Sequence, residues 1–355
     1  MWYHTVFSEL VNTKYPMVQA PMAGIGTPAL AGTVSECGLL GSMGCAEMTV
    51  PQLYDTALTL REITDAPFNL NFFAHSEPDS YHQVDSALIE ALTPLYEKHS
   101  LPFPKVPLSA ENTSFTEEKL KAVLEIKPKV ISFHFGLPDT HAIDALRNVG
   151  CLILCSATTV DEAVYLEKRG VDAIIAQGWE AGGHRGSFKV NNSDAGIGTM
   201  ALVPQIVDKV RLPVIAAGGI GDGRGIAAAM LLGASGVQMG SAFLGCPETA
   251  LPEAYATAIR QALETDTRLT RGFSGRPARA QQNLYTRSFL DQSFKLPNFP
   301  LMYEYSEPLI DVSTANGDDK YAYHLYGQAA SLNRGLPASQ FIEGLINEVN
   351  KLLNR

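Results

Sequence analysis

Eight short apolar segments, most of them followed by a segment with helical periodicity, constrain the fold of this chain most strongly. They are continuous rather than alternating, which is typical of parallel strands buried on both faces. Eight such strands joined by helices predict an α/β fold, a closed (β/α)8 TIM barrel. The segments are Met17–Ala20, Leu39–Met43, Phe68–Phe73, Val130–Phe135, Cys151–Ser156, Ala173–Gln177, Pro213–Ala217 and Gly236–Phe243.

The segments between the strands end as helices do. Gly170 follows two basic residues and Gly233 follows two leucines, and glycine is the usual residue just past a helix. An open, doubly wound sheet is the alternative fold, but no G-x-G-x-x-G follows the first strand. The predicted helices are Pro28–Glu36, Pro51–Glu62, Val84–Lys98, Thr116–Leu124, His141–Asn148, Val160–Arg169, Met200–Lys209 and Gly225–Leu232, with a long connection over Leu101–Ser114.

The alternation of strands and helices stops after Phe243. We therefore predict a barrel over residues 1–245 and a mainly helical region over residues 246–355 that packs on the barrel and covers the substrate. That region contains a helix near Pro252–Leu263, an irregular stretch with arginine and glycine, and a closing helix. The apolar face of the closing helix, which includes Phe341, Leu345 and Val349, is expected to dock on the barrel.

Composition excludes several classes of partner. The chain of 355 residues carries a net charge of −10 and no long basic run, which argues against nucleic acid. Its five cysteines form no CxxC pair, and no H-x-x-x-H motif suggests a metal. No apolar run approaches the roughly 18 residues of a membrane span, and the first residues do not read as a signal peptide. We expect a cytoplasmic protein of undetermined oligomeric state.

Glycines follow the seventh and eighth predicted strands. Gly218 and Gly219 follow the seventh, and Gly240 with Ser241 follows the eighth. Such turns let backbone N–H groups approach a phosphate, and the N-terminus of the predicted Gly225–Leu232 helix adds a partial positive charge. Barrels often bind phosphate there. The sequence predicts a phosphate-binding site, and the alternative is that Ala217–Gly223 is merely a tight turn into a helix.

His184 is the predicted catalytic residue, because it lies among glycines in the loop after the sixth strand. Imidazole titrates near neutrality, so it can act as a base or as a cation that holds an anion. His134, at the end of the fourth strand, is either a substrate contact or a hydrogen-bonded residue inside the barrel. We expect no catalytic role for the other histidines considered, which are His75, His82, His141 and His324.

Other polar residues follow the strand ends. Asn71 and Gln177 could bind the edge of a heterocycle, or they could be buried polar residues that close the barrel. Glu180 and Arg185 flank His184 and could pair with each other. The tyrosines of the C-terminal region could line a pocket or pack against neighbours; these are Tyr303, Tyr305, Tyr323 and Tyr326.

Taken together, these motifs resemble the nitronate monooxygenase family, formerly called 2-nitropropane dioxygenases, and most closely its class I members. The resemblance spans about residues 16–245, with a weaker match at Tyr326–Ala330. Its motifs are Ala20-Pro21-Met22-Ala23-Gly24, Asn71 with Phe73, Ser132-Phe133-His134-Phe135-Gly136, Ala181-Gly182-Gly183-His184-Arg185-Gly186, Ala217-Gly218-Gly219-Ile220 and Gln238-Met239-Gly240-Ser241. Gly240-Ser241 stands where glycine-threonine is expected, and it keeps the hydroxyl.

The resemblance implies an FMN-dependent enzyme that oxidises alkyl nitronates, such as propionate 3-nitronate, with O₂ to carbonyl compounds and nitrite or nitrate. It also implies that His184 is the base or the cation that holds the nitronate. His134 would contact the substrate, and Tyr303 and Tyr305 are further candidates from the C-terminal region. The implied FMN contacts are Ala20, Pro21, Met22, Asn71, Gln177, Gly182, Gly183, Gly218, Gly219, Gln238, Met239, Gly240 and Ser241.

Three other functions remain open at this stage. An FMN-dependent enoyl-acyl-carrier-protein reductase or an NAD(P)H:quinone reductase of the same superfamily would need a reduced nicotinamide donor. A lyase or isomerase barrel would use the phosphate site for its substrate and would need a lysine at a strand end. No lysine occurs in the strand-end segments above. A flavin-binding protein without turnover would be yellow and inert.

Overall fold

The computed structural model describes residues 1–76, 84–106, 108, 113–189, 195–289 and 295–353. In chain order its strands are β1 (Met17–Gln19), β2 (Gly41–Gly44), β3 (Phe68–Phe73), β4 (Val130–His134), β5 (Leu152–Ala157), β6 (Ala173–Gln177), β7 (Gly183–His184), β8 (Val214–Ala217), β9 (Gly236–Met239), β10 (Thr267–Thr270) and β11 (Ala278–Gln281).

Eight of these strands form one parallel sheet that closes into a barrel. The order is β1-β9-β8-β6-β5-β4-β3-β2. Met17 of β1 pairs with Val237 of β9, and Val18 forms a parallel bridge to Leu40 just before β2, which closes the ring. This confirms the predicted TIM barrel, and each of the eight predicted strand segments overlaps a barrel strand.

Helices follow the strands around the outside of the barrel. Threonine and aspartate begin most of them; for example, the side chains of Thr27, Asp139 and Thr159 each accept a backbone N–H of the first turn. The helices are α1 (Val6–Val11), α2 (Pro28–Glu36), α3 (Val50–Ile63), α4 (Ser86–Lys98), α5 (Glu117–Ile126), α6 (Thr140–Asn148), α7 (Val160–Arg169), α8 (Thr199–Val207), α9 (Gly223–Leu231), α10 (Glu253–Arg260), α11 (Leu284–Arg287), α12 (Tyr303–Asn316) and α13 (Ala338–Leu353).

One end of the barrel is filled by apolar side chains. Phe7 and Val11 of α1 are fully buried and pack with strand residues such as Val18, Val130 and Ile215. The helix α1 was not predicted from the sequence. Because α1 packs against the barrel interior at this end, a ligand cavity is left to the opposite end, where the strands reach their carboxyl termini.

The C-terminal region packs on the barrel and differs in part from the prediction. Phe341, Leu345 and Val349 of α13 belong to the same apolar core as the barrel helices, so the predicted docking of this helix is confirmed. The irregular stretch is instead a hairpin of β10 and β11, which pairs through β11 with β7. The helix α12 was also not predicted. The proposed boundary at residue 245 stays a prediction.

Two sequence predictions fall partly outside the described residues. His82 lies outside them, and so do positions 107 and 109–112 of the predicted connection Leu101–Ser114. Within the described ranges, no helix has the length and apolarity needed to cross a bilayer. The same part of the chain contains no group of three or more histidine, cysteine or acidic side chains arranged to hold a metal ion.

Candidate active site

A cavity of about 1820 Å³ opens at the carboxyl ends of the barrel strands. It exceeds the roughly 300–1,000 Å³ of ordinary ligand pockets, so it has room for a cofactor and a substrate together. Fifteen of the seventeen predicted site residues line it: Ala20, Pro21, Met22, Asn71, His134, Gln177, Gly182, Gly183, His184, Gly218, Gly219, Gln238, Gly240, Ser241 and Tyr303.

Two predicted site residues do not line this cavity. The Met239 side chain is 1% exposed and belongs to the apolar core between β9 and the surrounding helices. The Tyr305 side chain is also 1% exposed, and it packs with Tyr96 in a second apolar cluster, where Tyr96 donates its hydroxyl to the Tyr305 carbonyl. Tyr303 and Tyr305 are two residues apart on α12, so they point to different sides of that helix.

The predicted phosphate site is built from backbone. Gly218 and Gly219 have φ angles of +107° and +71°, which only glycine adopts without strain. Among the described residues, the N–H groups of Gly218, Gly219, Gly240 and Ser241 donate to no partner. Free N–H groups on two adjacent turns form an anion-binding concavity. The Ser241 hydroxyl accepts from Gly327 N at 2.8 Å and keeps its own proton for a ligand.

The N-terminus of α9 does not contribute to this site, contrary to prediction. The carboxylate of Asp222 accepts the N–H groups of Arg224 and Gly225, and Gly223 N donates to Glu348 of α13 at 2.8 Å. Carboxylates of the protein therefore occupy the positive end of this helix. The helix begins beside α13, away from the cavity lining. Any phosphate must rely on the two glycine turns instead.

The polar side chains near the strand ends differ in how many hydrogen-bonding groups they keep free for a ligand. Gln177 forms one hydrogen bond at each end of its amide, because its Nε2 donates to the His184 carbonyl at 2.9 Å and its Oε1 accepts Gly186 N at 2.8 Å. Asn71 donates through Nδ2 to Ser132. By contrast, the buried Oε1 of Gln238 has no partner among the described residues, and this side chain lines the cavity. It is an open acceptor at the cavity wall.

His184 is held by three parts of the chain. Its backbone pairs in β7 with Ala278 of β11, and its carbonyl accepts from Gln177 and from His134 Nε2. Its Nε2 lies 2.9 Å from the Ser274 hydroxyl and 3.3 Å from that of Tyr323. The ring itself lines the cavity. The ring therefore faces the cavity as the sequence predicts, but it is not unhindered, because two hydroxyls hold its Nε2.

The surroundings of His184 favour a neutral imidazole. Burial, the largest cause, lowers its pKa to about 3, and the charges that His134, Arg276 and His75 can carry act in the same direction. The site thus offers a neutral ring near pH 7. A cationic His184, one of the two roles expected from the sequence, would need a bound anion to raise that pKa again.

His134 has no ring nitrogen left for a substrate. Its Nε2 must carry a proton, because it donates to the His184 carbonyl at 3.0 Å, and its Nδ1 lies 3.0 Å from the Ser156 hydroxyl. Burial lowers its pKa to about 4. The side chain lines the cavity, but its hydrogen bonds serve to support the loop that carries His184.

An aromatic wall with a cation behind it surrounds His184. The rings of Phe73, Phe135 and Phe299 lie 5.5–6.1 Å from the imidazole, centre to centre. The guanidinium of Arg276 stacks 4.1 Å from the Phe135 ring. Phe135 itself has a φ of +69°, a strained conformation of the kind that clusters at functional sites. A half-buried cation behind neutral rings gives the site a positive potential, which suits an anionic substrate.

Ser274, Arg276 and Phe299 contact the site but were not predicted from the sequence, and they lie some 90 to 115 residues after His184 along the chain. No local pattern connects them to the histidine. Only the pairing of β7 with β11 brings Ser274 and Arg276 to the barrel mouth. Glu180 and Arg185 also do not pair as suggested, because Glu180 accepts from Thr199 and Arg185 donates to the carbonyls of Gln177 and Gly178.

Comparison with known proteins gives the family. The family model described as nitronate monooxygenase matches residues 4–348. The chain belongs to the nitronate monooxygenase family. It is 41% identical over 349 residues to a nitronate monooxygenase of Paraburkholderia phytofirmans, covering 98% of this chain and 95% of the relative. A nitronate monooxygenase of Pseudomonas aeruginosa is also 41% identical over 349 residues, covering 97% and 98%.

Solved structures agree with this membership. A nitroalkane oxidase from Streptomyces ansochromogenes superposes with a TM-score of 0.87 at 34% identity, covering 97% of both chains. FabK from Thermotoga maritima has a TM-score of 0.78 at 29% identity, covering 99% of this chain and 97% of its own. The family model and both curated relatives carry the nitronate monooxygenase name, so they favour the first of these two structural likenesses over the likeness to FabK.

Proposed function

We propose that this protein binds FMN in the barrel cavity and oxidises alkyl nitronates with O₂ to carbonyl compounds and nitrite or nitrate. The observation that carries the proposal is the arrangement of unpaired backbone N–H groups at Gly219 and Ser241 on one side of the cavity and the His184 ring at its mouth. Membership of the family supports it. When bound, the flavin supplies the electron chemistry, and the chain supplies binding and orientation.

The residues of the cavity fit FMN in three respects. The glycine turns at Gly218-Gly219 and Gly240-Ser241 offer N–H groups to a phosphate without a side chain in the way. The unpaired Oε1 of Gln238 can accept a ring N–H of a flavin. The cavity volume of about 1820 Å³ leaves space for a nitronate beside the cofactor. Because both hydrogen bonds of the Gln177 amide go to the loop of His184, we propose that Gln177 acts on the cofactor mainly through that loop.

The chain's part in the reaction is to hold an anion against the cofactor. A nitronate is already deprotonated, so it needs hydrogen bonds and a positive potential rather than a strong base. His184 and the half-buried cation Arg276, which stacks on the Phe135 ring beside it, can supply these. The rings of Phe73 and Phe299 pack around the imidazole and make its surroundings less polar, which strengthens both effects. Tyr303, which lines the cavity from α12, is the proposed further substrate contact.

Visible spectroscopy and oxygen uptake test this proposal. The purified protein should be yellow, or should become yellow with added FMN, and should consume O₂ with propionate 3-nitronate without NADH. Uptake that requires NADH or NADPH would instead favour an enoyl or quinone reductase. A colourless protein that does not take up FMN would contradict the proposal that FMN is the cofactor.

Substitution of His184 tests its assigned place. His184→Leu should retain flavin and lose on the order of a hundredfold in kcat/KM with nitronate, the typical effect of removing one stabilising donor. The matched control is His141→Leu, which changes an exposed histidine on α6 and should leave turnover unchanged. Equal turnover in the two variants would show that His184 has no role in the reaction.

We further propose that the protein works in the cytoplasm, as a small-molecule enzyme. All five cysteines are free, and four of them are buried. Free thiols persist in reducing compartments.

A further inference from the structure

One segment of the C-terminal region, residues 326–333, contacts the loops that follow β6, β8 and β9. Its Gln328 N donates to the carbonyl of Glu180 in the β6 loop at 3.0 Å. Its Leu332 packs against the β8 loop, and its Asn333 donates hydrogen bonds to the β9 loop. The two glycine turns whose N–H groups have no partner among the described residues belong to the β8 and β9 loops. The 326–333 segment therefore lies where it can fix the phosphate site.

The contacts between this segment and the barrel loops leave no room for side chains. A Cβ added to Gly182 would lie 2.5 Å from Gly327 N, and one added to Gly327 would lie 2.6 Å from the Glu180 carbonyl oxygen. A Cβ added to Gly245 would lie 2.0 Å from Oδ1 of Asn333. Glycine at these positions therefore permits an approach of the segment that any larger residue would prevent.

Asn333 holds the turn that follows β9 through its side-chain amide. Its Nδ2 donates to the carbonyls of Ser241 and Ala242 at 3.0 and 3.2 Å, and its Oδ1 accepts Gly335 N at 3.0 Å. These bonds require this orientation of the amide, because only its nitrogen can donate. They fix the backbone on the carboxyl side of Ser241, whose own N–H has no partner among the described residues.

Gly327 acts on the side chain of Ser241. Its N–H donates to the Ser241 hydroxyl oxygen at 2.8 Å. A hydroxyl that accepts a hydrogen bond directs its own proton away from the donor, and Ser241 lines the cavity, so this proton is available to a ligand there. The hydroxyl and the N–H groups of Gly240 and Ser241 are then donors on one turn. Several donors on one turn suit the oxygens of a phosphate, which only accept hydrogen bonds.

We propose that the 326–333 segment positions the β9 turn for the phosphate of the flavin, with Gly327 and Asn333 as the positioning residues. This role rests on the proposed FMN site, and it makes phosphate binding depend on the C-terminal region. The dependence is reciprocal by thermodynamic linkage, so a phosphate bound to the turn should stabilise the segment in return. A flavin without a phosphate should bind without this effect.

Hydrogen exchange of the full chain tests this linkage directly. With saturating FMN, the amides of residues 327–333 should exchange about tenfold more slowly than with saturating riboflavin, which lacks the phosphate. The amides of α6 are the control, because α6 follows β4 on the opposite side of the ring from β9, and they should exchange equally with both flavins. Equal exchange of the segment with FMN and riboflavin would overturn the proposed positioning and leave FMN binding intact. A protein that binds neither flavin would contradict the proposed cofactor as well.

Asn333→Ala tests the positioning role by flavin affinity. The change removes both hydrogen bonds to the turn after β9 and should weaken FMN binding about tenfold, with little change in the affinity for riboflavin. A residue that served only general stability would affect both flavins alike. The control is Asn347→Ala, at an exposed position on α13, which should bind both flavins as the unaltered protein does.

Two results of the affinity measurement would refute the positioning role. One is an equal loss of affinity for FMN and riboflavin in Asn333→Ala, and the other is an FMN affinity like that of Asn347→Ala. If Asn333→Ala does not fold, the exchange experiment on the unaltered chain decides.

Discussion

Gln177 at the end of β6 is proposed to act on the loop of His184 rather than on the flavin directly. Its side chain bridges the His184 carbonyl and Gly186 N, at 2.9 and 2.8 Å. In Gln177→Leu both bonds are lost while the volume changes little. The carbonyl of His184 keeps one partner, His134 Nε2, but the N–H of buried Gly186 has no other partner among the described residues.

The expected cost follows from these two bonds. Leaving a buried N–H without an acceptor costs about 1–3 kcal/mol, and the second bond contributes roughly 1 kcal/mol. We therefore expect the free energy of unfolding of Gln177→Leu to fall by about 2–4 kcal/mol. Since the same bonds fix the backbone of His184, kcat with nitronate should fall as well, whereas the affinity for FMN should change little.

Urea unfolding followed by tryptophan fluorescence in a fixed excess of FMN measures the first effect, with FMN affinity determined separately because ligand binding adds to apparent stability. The control is Gln205→Leu, the same change at an exposed position on α8, which should shift stability by no more than about 0.5 kcal/mol. If Gln177→Leu unfolds like this control, Gln177 does not support the loop; if it also loses FMN affinity, Gln177 holds the cofactor instead.

Two further predictions concern acid stability and the N-terminus of α9. Burial holds the pKa values of His134 and His184 at about 4 and 3, below the ordinary value of 6.5, so the unfolded chain binds protons that the folded chain does not. The free energy of unfolding should be highest above pH 6.5, and below that pH it should fall by up to about 1.4 kcal/mol per pH unit for each histidine. Urea unfolding measured between pH 7.5 and 5 checks this. A free energy of unfolding that does not change over this range would contradict it. Asp222→Ala removes the cap of α9 and should cost about 1 kcal/mol in thermal or urea unfolding, with flavin content unchanged because that helix end lies outside the cavity; loss of flavin would restore a role for α9 in phosphate binding.

The barrel could be predicted from sequence because its signals are local. The continuous apolar run at Phe68–Phe73 becomes β3 with the same bounds, and the helix Val160–Arg169 is also reproduced, since a threonine cap and a glycine stop define it. The strand-end residues followed directly, because strand ends in a barrel share one rim. His184 and the glycines of the two turns were found in this way.

What the sequence did not reveal depends on tertiary contacts. The pattern after Asp222 predicts a helix N-terminus, but the proximity of Glu348, which directs that end away from the cavity, arises only in the folded chain. Tyr303 and Tyr305 are equivalent in sequence, and only the packing of α12 against α4 decides which of them lines the cavity. Ser274 lies in a stretch without periodicity, so nothing in the sequence marked it.

The pairing of β7 with β11 means that the reactive loop is one edge of a small sheet whose other strands come from the C-terminal region. Sequence changes in that hairpin can therefore alter the direction and partners of the imidazole while leaving every barrel strand untouched. Two relatives with identical barrel mouths could then differ in reactivity through residues near position 274. Engineering of this scaffold towards new nitro compounds would best begin by grafting hairpins, with the barrel kept as a constant frame.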